Sequence, residues 1–527
     1  MSSVDVAAGV TRVRDWFHRE VERRLEKAVG GSARLRVIAL LAAVLGLSSA
    51  DSATVGAIAA PLEASLHIGN TQLGLLVTLS TAIGAVATLP VGVAVDRVRR
   101  VRLLAIAIVI WSVAMIVSAL SVSYLMLLLT RVALGVVVAT AGPAVASLTG
   151  DFFSPAERGR VYGYILSGEL LGAGAGILIS GDIAGVLSWR ASFAWLAIPG
   201  LALAWAIWRR LPEPDRGGQS RLDPGATEIV AAEDVDTEPA EEPEHAPEGA
   251  QAERDAGPLA EEVERAGVAP HPERVLHTDS DTMPLRRAVH YILSIRTNVV
   301  LIIGSALGYF FFAGLRTFGV EFARGRFGLG QSAASSLLVL IGAGAVVGVL
   351  SGGRIADRLI GRGTLAGRPI VAGVGFLLAA ALFLPGLLVP ELLLALPLLL
   401  LAAAAYSATN PPLDAARLDV MQHHLWGRAE AVRTVLRSLL EAAAPLVFGY
   451  VSGRFGGPHG GLSGATGASG STVAAAGSHG LDVTFLIMLA PLAVSAVLLL
   501  TAARKTYPRD VATALASERN TAHAGHD

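Results

Sequence analysis

The sequence has 527 residues, of which 53% are hydrophobic and only 16% are charged, with a formal net charge of -1. Because soluble domains contain about 25% charged residues, this composition excludes an ordinary soluble protein and predicts a membrane protein. The chain has no cysteine, which excludes disulfides, thiolate metal sites and cysteine catalysis.

Twelve apolar runs along the chain are each long enough to cross a bilayer, which takes about 20 helical residues. The runs are continuous rather than alternating, so they predict helices and an all-α membrane protein, not a barrel. In the first half they are Val37–Ala60, Leu73–Val95, Leu103–Ser121, Tyr124–Leu148, Tyr162–Ile183 and Phe193–Trp208. In the second half they are Val299–Val320, Ala333–Ile355, Ile370–Leu388, Leu392–Tyr406, Val432–Val451 and Val483–Ala502.

Composition divides the chain further. Residues 1–34 alternate apolar and charged positions at helical spacing, which indicates either an amphipathic helix on the inner membrane face or a solvated extension. Residues 212–284 are acidic and rich in proline, with too little apolar surface to fold, so we expect a disordered linker between six-helix bundles at 35–211 and 285–505. Residues 456–481 predict a flexible Gly/Ser-rich external loop, and residues 506–527 a cytoplasmic tail.

Arginine is concentrated in alternate loops, while the intervening loops are short and carry almost none, with the exception of Arg316–Arg326. The positive-inside rule therefore predicts a multi-pass protein of the cell membrane with both termini in the cytoplasm. The first residues lack the pattern of a cleaved signal peptide. The bias toward arginine, alanine, glycine and valine favours a GC-rich bacterial source.

One short pattern occurs twice, each time after the second apolar run of a half: GVAVDRVRRVR at 92–102 and GGRIADRLIGR at 353–363. Basic residues that merely hold a loop inside would explain the arginines but not the aspartate and glycine. The pattern resembles the loop signature of the major facilitator superfamily, with Arg99 where that family has a second glycine. The matching residues are Gly92, Asp96, Arg97 and Arg100, then Gly353, Asp357, Arg358 and Arg362.

The resemblance covers nearly all of the membrane portion. It implies a transporter with two pseudo-symmetric six-helix bundles around a central cavity that opens to either side in turn. It also implies that the two loop motifs act as a conformational gate.

Ionisable residues within the apolar runs include Asp51, Arg131, Glu169 and Glu441. Charges in spans are costly and are therefore functional candidates. We expect Arg131 to pair with Asp51 or Glu169, because an unpaired guanidinium in a low-dielectric bundle is hard to tolerate. An acid with such a partner can bind and release a proton and so couple transport to a proton gradient. The alternative is a static ion pair that fixes helix packing.

Two branches of the superfamily are similar in finer detail. Arg131, Gly135 and Ala139 match its span 4 signature, and span 5 resembles the glycine motif of drug/proton antiporters, with Ile177 and Ser180 in place of a proline and a glycine. Close helix packing would explain the same glycines, which are Gly163, Gly172, Gly176 and Gly181. The stretches DSATVGAIAAPL and GDFFSPAERGRVYG resemble spinster-like lipid transporters, although Val138 stands where that branch carries an acid.

These patterns predict a proton-coupled exporter of amphipathic small molecules or drugs. The alternatives are a spinster-like lysophospholipid transporter, metabolite uptake or facilitated diffusion, and a transporter-like sensor without flux. The sequence has no phosphate-binding loop for ATP, no metal-ligand spacing and no nucleophile–base pattern, so we expect no enzyme, cofactor, metal or nucleic-acid partner. Candidate substrate contacts are the aromatic residues Tyr309, Phe310 and Phe312 of span 7, which lipid-facing positions would explain equally. Asn410 at the end of span 10, where we expect Pro411 and Pro412 to break the helix, is a candidate polar contact.

Overall fold

The computed structural model describes residues 26, 29–153, 155–214, 222, 258–276, 283–422, 425–455 and 470–524. The side chains of some helical residues in these ranges, 92–97 among them, are not described. All regular structure in the described ranges is helical, and twelve spans are long and apolar enough to cross a membrane. The prediction of an all-α protein with twelve spans is confirmed.

The first six spans follow the predicted runs within a few residues. Spans 1, 2 and 3 are the helices Ser32–Ala57, Asn70–Arg97 and Arg100–Ala119. Span 4 consists of two helices, Tyr124–Val138 and Ala141–Phe152, and spans 5 and 6 are Pro155–Val186 and Trp189–Arg210. A short helix, Ala59–Leu66, connects spans 1 and 2.

The second six spans repeat this order. Spans 7, 8 and 9 are Arg296–Phe327, Gln331–Ile360 and Gly367–Leu388, and the helix Leu285–Ser294 precedes them. Span 10 consists of Leu392–Ser407 and Asn410–Asp419, and span 11 is Trp426–Phe455. Span 12 is built from Gly470–Ile487, Ala490–Leu498 and Arg504–Ala524, with a π-helical turn at Leu499–Ala503.

Spans 4 and 10 are interrupted at equivalent places. Each break falls on an Ala-Thr pair, residues 139–140 and 408–409, and a proline follows within three residues of the threonine. The amide of Thr140 bonds three residues back to Val137, and that of Thr409 does the same to Tyr406, so the helix tightens before the proline. We expected Pro411 and Pro412 to end span 10, but they begin a second helix because proline is well tolerated in a first turn.

The contacts divide the chain into two compact units, residues 1–54 with 86–239 and residues 55–85 with 240–527. Within the first unit, span 3 packs along span 6, and span 1 packs against span 5. Within the second, span 9 packs along span 12, and span 7 packs along span 11. The same pairing of first with fifth and third with sixth therefore occurs in both halves of the chain.

Part of the expected disordered linker is ordered. Residues 258–276 form the helix Pro258–Arg265 and a 3-10 turn at Pro272–Arg274, which pack near the end of span 12. The helix buries Leu259 and Val263, which are four residues apart and therefore share one face. Most of the remaining linker lies outside the described residues.

Two other predicted segments also differ from expectation. The expected tail from residue 506 continues span 12 as a helix, because Tyr507, Val511 and Ala514 form a buried stripe at helical spacing. The second part of the expected external loop belongs to the helix Gly470–Ile487, while residues 456–469 lie outside the described ranges. The proposed N-terminal amphipathic helix lies almost wholly outside them too.

Candidate functional site

Spans 1 and 5 touch along a seam of small residues, which we call the glycine seam. It consists of Ala42, Gly46 and Ala50 facing Gly168, Gly172 and Gly176. A Cβ atom added to Gly172 would lie 2.0 Å from the carbonyl oxygen of Gly46, and one on Gly176 would lie 2.4 Å from that of Ala50. The two backbones are therefore in direct contact, which only glycine permits at these positions.

The seam continues through a hydrogen bond one turn further on. The hydroxyls of Thr54 and Ser180 lie 2.7 Å apart, and Trp195 donates its indole N–H to Ser180 at 2.9 Å. Ser180 is the residue that replaces a glycine of the antiporter motif, and here it uses its hydroxyl to join the helices. Of the four predicted packing glycines, Gly172 and Gly176 lie in the seam, Gly181 is buried, and Gly163 faces open space.

Asp51 follows Ala50 directly, so the seam determines where this carboxylate lies. Arg131 of span 4 donates an Nη1–H to Asp51 Oδ1 at 2.6 Å, and Trp111 of span 3 donates its indole N–H to Oδ2 at 3.4 Å. Asp51 is 4% exposed and Arg131 3% exposed. Sequence chemistry left two possible partners for Arg131, and the structure pairs it with Asp51.

The surroundings of Arg131 leave part of its hydrogen-bonding capacity unused. Its guanidinium lies over the ring of Phe193, 4.5 Å from the centroid, while Nε and Nη2 are buried without a hydrogen-bond partner among the described residues. A small pocket lined by spans 1, 3 and 4 contains Trp111 and Val138, the latter at the position where the spinster-like branch has an acid. The ion pair is thus buried, apolar on the arginine side and incompletely satisfied among the described residues.

Glu169 is exposed, whereas Asp51 and Arg131 are buried. It lies on span 5, directly after Gly168 of the glycine seam. A protonation role for Glu169 stays a prediction.

The second half carries its own intramembrane ion pair. Glu441 of span 11 lies 3.5 Å from Arg316 of span 7. One turn before Glu441, the guanidinium of Arg437 lies 4.3 Å from the centroid of the Tyr309 ring. Sequence reasoning missed Arg437, although its spacing of four residues from Glu441 was a usable signal.

The predicted substrate contacts have different surroundings. The ring of Tyr309 contacts the guanidinium of Arg437. Phe312 is 40% exposed and stacks on Tyr406, with ring centroids 5.8 Å apart. Phe310 packs against Phe448 at 6.1 Å, so it belongs partly to the aromatic packing of the half. Asn410 is half-buried at the start of the second helix of span 10.

At the arginine-rich end of the first half, Arg100 begins span 3 and binds two acids. Its side chain contacts Asp151 at the end of span 4 and lies 3.1 Å from Glu213, and its guanidinium is almost fully buried. Glu213 also accepts the backbone N–H groups of Arg100 and Val101, each at 2.8 Å, so it caps the helix. The side chains of Gly92, Asp96 and Arg97 lie outside the described residues.

The second half has an equivalent cluster. Arg368, at the start of span 9, contacts Asp419 at the end of span 10, and Asp419 also accepts the hydroxyl of Tyr507. Asp357 of the repeated motif lies 3.9 Å from Arg368 and is 70% exposed in its side chain, while Arg358 and Arg362 are exposed.

Gly353 of the second motif is not a point of close backbone approach. A Cβ on Gly353 would only touch Pro411 at 3.5 Å, whereas one on the preceding Gly352 would lie 2.0 Å from the carbonyl oxygen of Ala408. Gly348 meets the backbone of Ala404 in the same way. Close packing of spans 8 and 10 therefore uses Gly348 and Gly352, one turn apart.

Comparison with known proteins agrees with this architecture. The model of the Major Facilitator Superfamily matches residues 40–445. The chain belongs to the major facilitator superfamily. It is a multi-pass membrane transporter and not an enzyme.

Curated relatives in this superfamily match only part of the chain. An uncharacterized transporter, YybO of Bacillus subtilis (strain 168), is 25% identical over 186 residues, which are 35% of this chain and 43% of the relative. The hexuronate transporter of the same organism is 34% identical over 152 residues, 28% of this chain and 35% of the relative. The chain therefore spans less than half the length of these relatives.

A solved structure matches almost the whole chain. A bacterial homolog of the human lysosomal transporter Spinster, in an inward-facing and unoccupied conformation, has a TM-score of 0.71 at 20% identity. The match covers 91% of this chain and 98% of that one. At this identity the likeness shows a shared fold.

Proposed function

We propose that this superfamily member is a proton-coupled transporter that exports amphipathic small molecules by alternating access. The observation that supports the proposal most strongly is the buried pair of Asp51 and Arg131, joined at 2.6 Å between spans 1 and 4. An ion pair removed from water contributes little net stability, so its retention in a span favours a working role.

Protonation of Asp51 would change this pair in a defined way. A neutral carboxyl loses the attraction for Arg131, whose Nε and Nη2 already have no hydrogen-bond partner among the described residues. The guanidinium would then seek another acceptor, such as a polar group of a substrate or another acid of the transport pathway. Binding of a proton and movement of Arg131 are thereby linked.

Further roles extend the proposal. The Glu441–Arg316 pair would provide a second charged site, Glu169 a further protonatable group, and Tyr309, Phe310, Phe312 and Asn410 contacts for an amphipathic substrate. The repeated loop motifs, together with the Arg100 and Arg368 clusters, would act as gates at the arginine-rich side. We place that side and both termini in the cytoplasm.

Flux measurements in proteoliposomes test the proposal. Purified protein is reconstituted with an imposed pH gradient, and transport of a panel of amphipathic compounds is followed. Asp51→Asn should abolish gradient-driven flux, whereas Asp182→Asn, the same chemical change at an exposed position of span 5, should leave it unchanged. Gradient-driven flux that survives in Asp51→Asn would refute the role of the pair. A wild-type protein without flux for any compound would favour a sensor.

A second candidate function is uptake of an organic anion. It is favoured by the guanidinium groups of Arg316, which lies 3.5 Å from Glu441, and Arg437, which lies over Tyr309, and by the hexuronate transporter among the relatives. Inward flux of a labelled hexuronate, lost in Arg437→Gln, would support uptake. A spinster-like lipid substrate is the further alternative, and lysophospholipid transfer between vesicles would reveal it.

A further inference from the structure

In the second unit, a tight joint lies between the segment 55–85 and the ends of spans 7 and 11. A Cβ on Gly56 would lie 2.1 Å from the carbonyl oxygen of Arg316, and one on Gly74 equally close to that of Pro445. Thr71 donates to the carbonyl of Gly449 at 3.2 Å. Backbones this close leave little room for water between them, so polar atoms buried there need partners within the joint. Glu63 and Glu321 are each half-buried.

Two carboxylates meet inside this joint. Glu63 lies on the short helix Ala59–Leu66, and Glu321 lies on span 7 at hydrogen-bond distance from it. The amide of Asn70, in the orientation that satisfies both its ends, donates to the two Glu63 oxygens at 2.8 and 3.1 Å and accepts from Ser452 at 2.7 Å. Glu63 is thus held in position from span 2 and span 11.

Glu321 lacks such support. Its Oε2 atom is buried and no donor among the described residues reaches it. Two ionised carboxylates in contact would repel each other, and a buried acceptor without a donor is destabilising, more so when it is charged. A single proton between the two acids removes both problems, because it supplies the missing donor and halves the charge.

The charged neighbours agree with one proton. Arg324, one turn further along span 7, acts electrostatically on Glu321. The net charge of Glu63, Glu321 and Arg324 is therefore zero when one of the two acids is protonated. Span 11 contributes the neutral Ser452, and its Arg454 is exposed. The segment before span 2 adds His67, which is also exposed.

The nearby ion pair of Arg326 and Asp482 is internally balanced. Burial and the neighbouring Glu321 carboxylate raise the pKa of Glu63 well above its usual range.

We propose that Glu63 and Glu321 form a second proton-binding site, which holds one shared proton whenever the segment 55–85 is closed onto spans 7 and 11. Opening of the joint hydrates both acids and releases the proton. Closure of the joint therefore takes up one proton, independently of Asp51. This site goes beyond the proposed function and does not depend on it.

The test measures closure of the joint against pH in the full-length protein. The chain has no native cysteine, so single cysteines at the exposed Ser65 and Ser332 can carry spin labels without other changes. Their distance distribution, measured in nanodiscs across a pH series, gives the ratio of closed to open joint. Closure binds one proton. The ratio of closed to open joint should therefore fall up to about tenfold per pH unit above the pKa of the acids in the open, hydrated state.

Variants show whether the pair is responsible. Glu63→Gln and Glu321→Gln each mimic the singly protonated pair. The joint should therefore remain closed across the pH series in both variants. Glu391→Gln, which neutralises an exposed carboxylate, should keep the wild-type profile. All measurements are repeated with Asp51→Asn, so that loss of proton coupling at Asp51 and failure of this site give different results.

Three outcomes would overturn the proposal. One is a wild-type ratio that does not change with pH, and another is a Glu63→Gln and Glu321→Gln response equal to that of wild type. The third is closure that depends on sodium in place of potassium at constant pH, which would make the pair a cation site.

Discussion

Replacing Gly172 by alanine should separate spans 1 and 5. The added methyl would lie 2.0 Å from the oxygen of Gly46 and 2.4 Å from its carbonyl carbon and its Cα, all of them backbone atoms. Normal contacts begin near 3.4 Å, so relief requires a shift of more than 1 Å between the helices rather than rotation of a side chain. That shift weakens the neighbouring contacts of Gly168 and Gly176 and the Thr54–Ser180 hydrogen bond.

The expected cost follows from those losses. Overpacking a close-packed contact costs about 1–3 kcal/mol, and we place Gly172→Ala at the upper end because no flexible atom can move aside. Thermal unfolding in mild detergent should then occur about 5 °C or more below wild type. Gly174→Ala is the matched control on the same helix, since nothing lies within 4 Å of its added methyl. Equal unfolding temperatures for the two variants would refute the seam.

Three further outcomes are expected. Glu213→Gln removes the charge that caps span 3 and should lower stability by about 1 kcal/mol, measured as a lower unfolding temperature. Because the pKa of Glu63 is raised in the folded protein, stability should be full below the unfolded pKa of about 4.3 and should decline as pH rises through the folded value. Unfolding scans against pH should show this decline in wild type and not in Glu63→Gln. Asp510→Asn weakens the contacts of Asp510 with His271 at 3.7 Å and Arg274 at 3.8 Å, so trypsin should cleave after Arg274 faster than in wild type.

The spans and the two halves could be predicted because hydropathy over some twenty residues is a strong, local signal. The need of Arg131 for an acid was also readable from sequence, since its burial requires a counter-charge. The choice of Asp51 over Glu169 was not, because it depends on which faces of spans 1 and 5 meet. That is determined by the register of the glycine seam, and a list of glycines does not specify which helix they face.

Weaker signals were present but passed unnoticed. The Ala-Thr pairs at the breaks of spans 4 and 10 are a second internal repeat, visible once the helices are known to be interrupted there. Leu259 and Val263 are two apolar residues in a strongly acidic stretch, too few to predict order without the surface on which they pack. Glu63 and Glu321 are separated by more than 250 residues, so only folding shows that they meet.

The breaks in spans 4 and 10 divide each of these spans into two helices. Beyond each break lies a second short helix, Ala141–Phe152 or Asn410–Asp419, whose far end contacts Arg100 or Arg368. Each arginine therefore ties the end of a second helix to the start of span 3 or span 9. Passage of a substrate at the arginine-rich side would then depend on these two short helices and on the contacts of Arg100 and Arg368, without unwinding of any membrane helix.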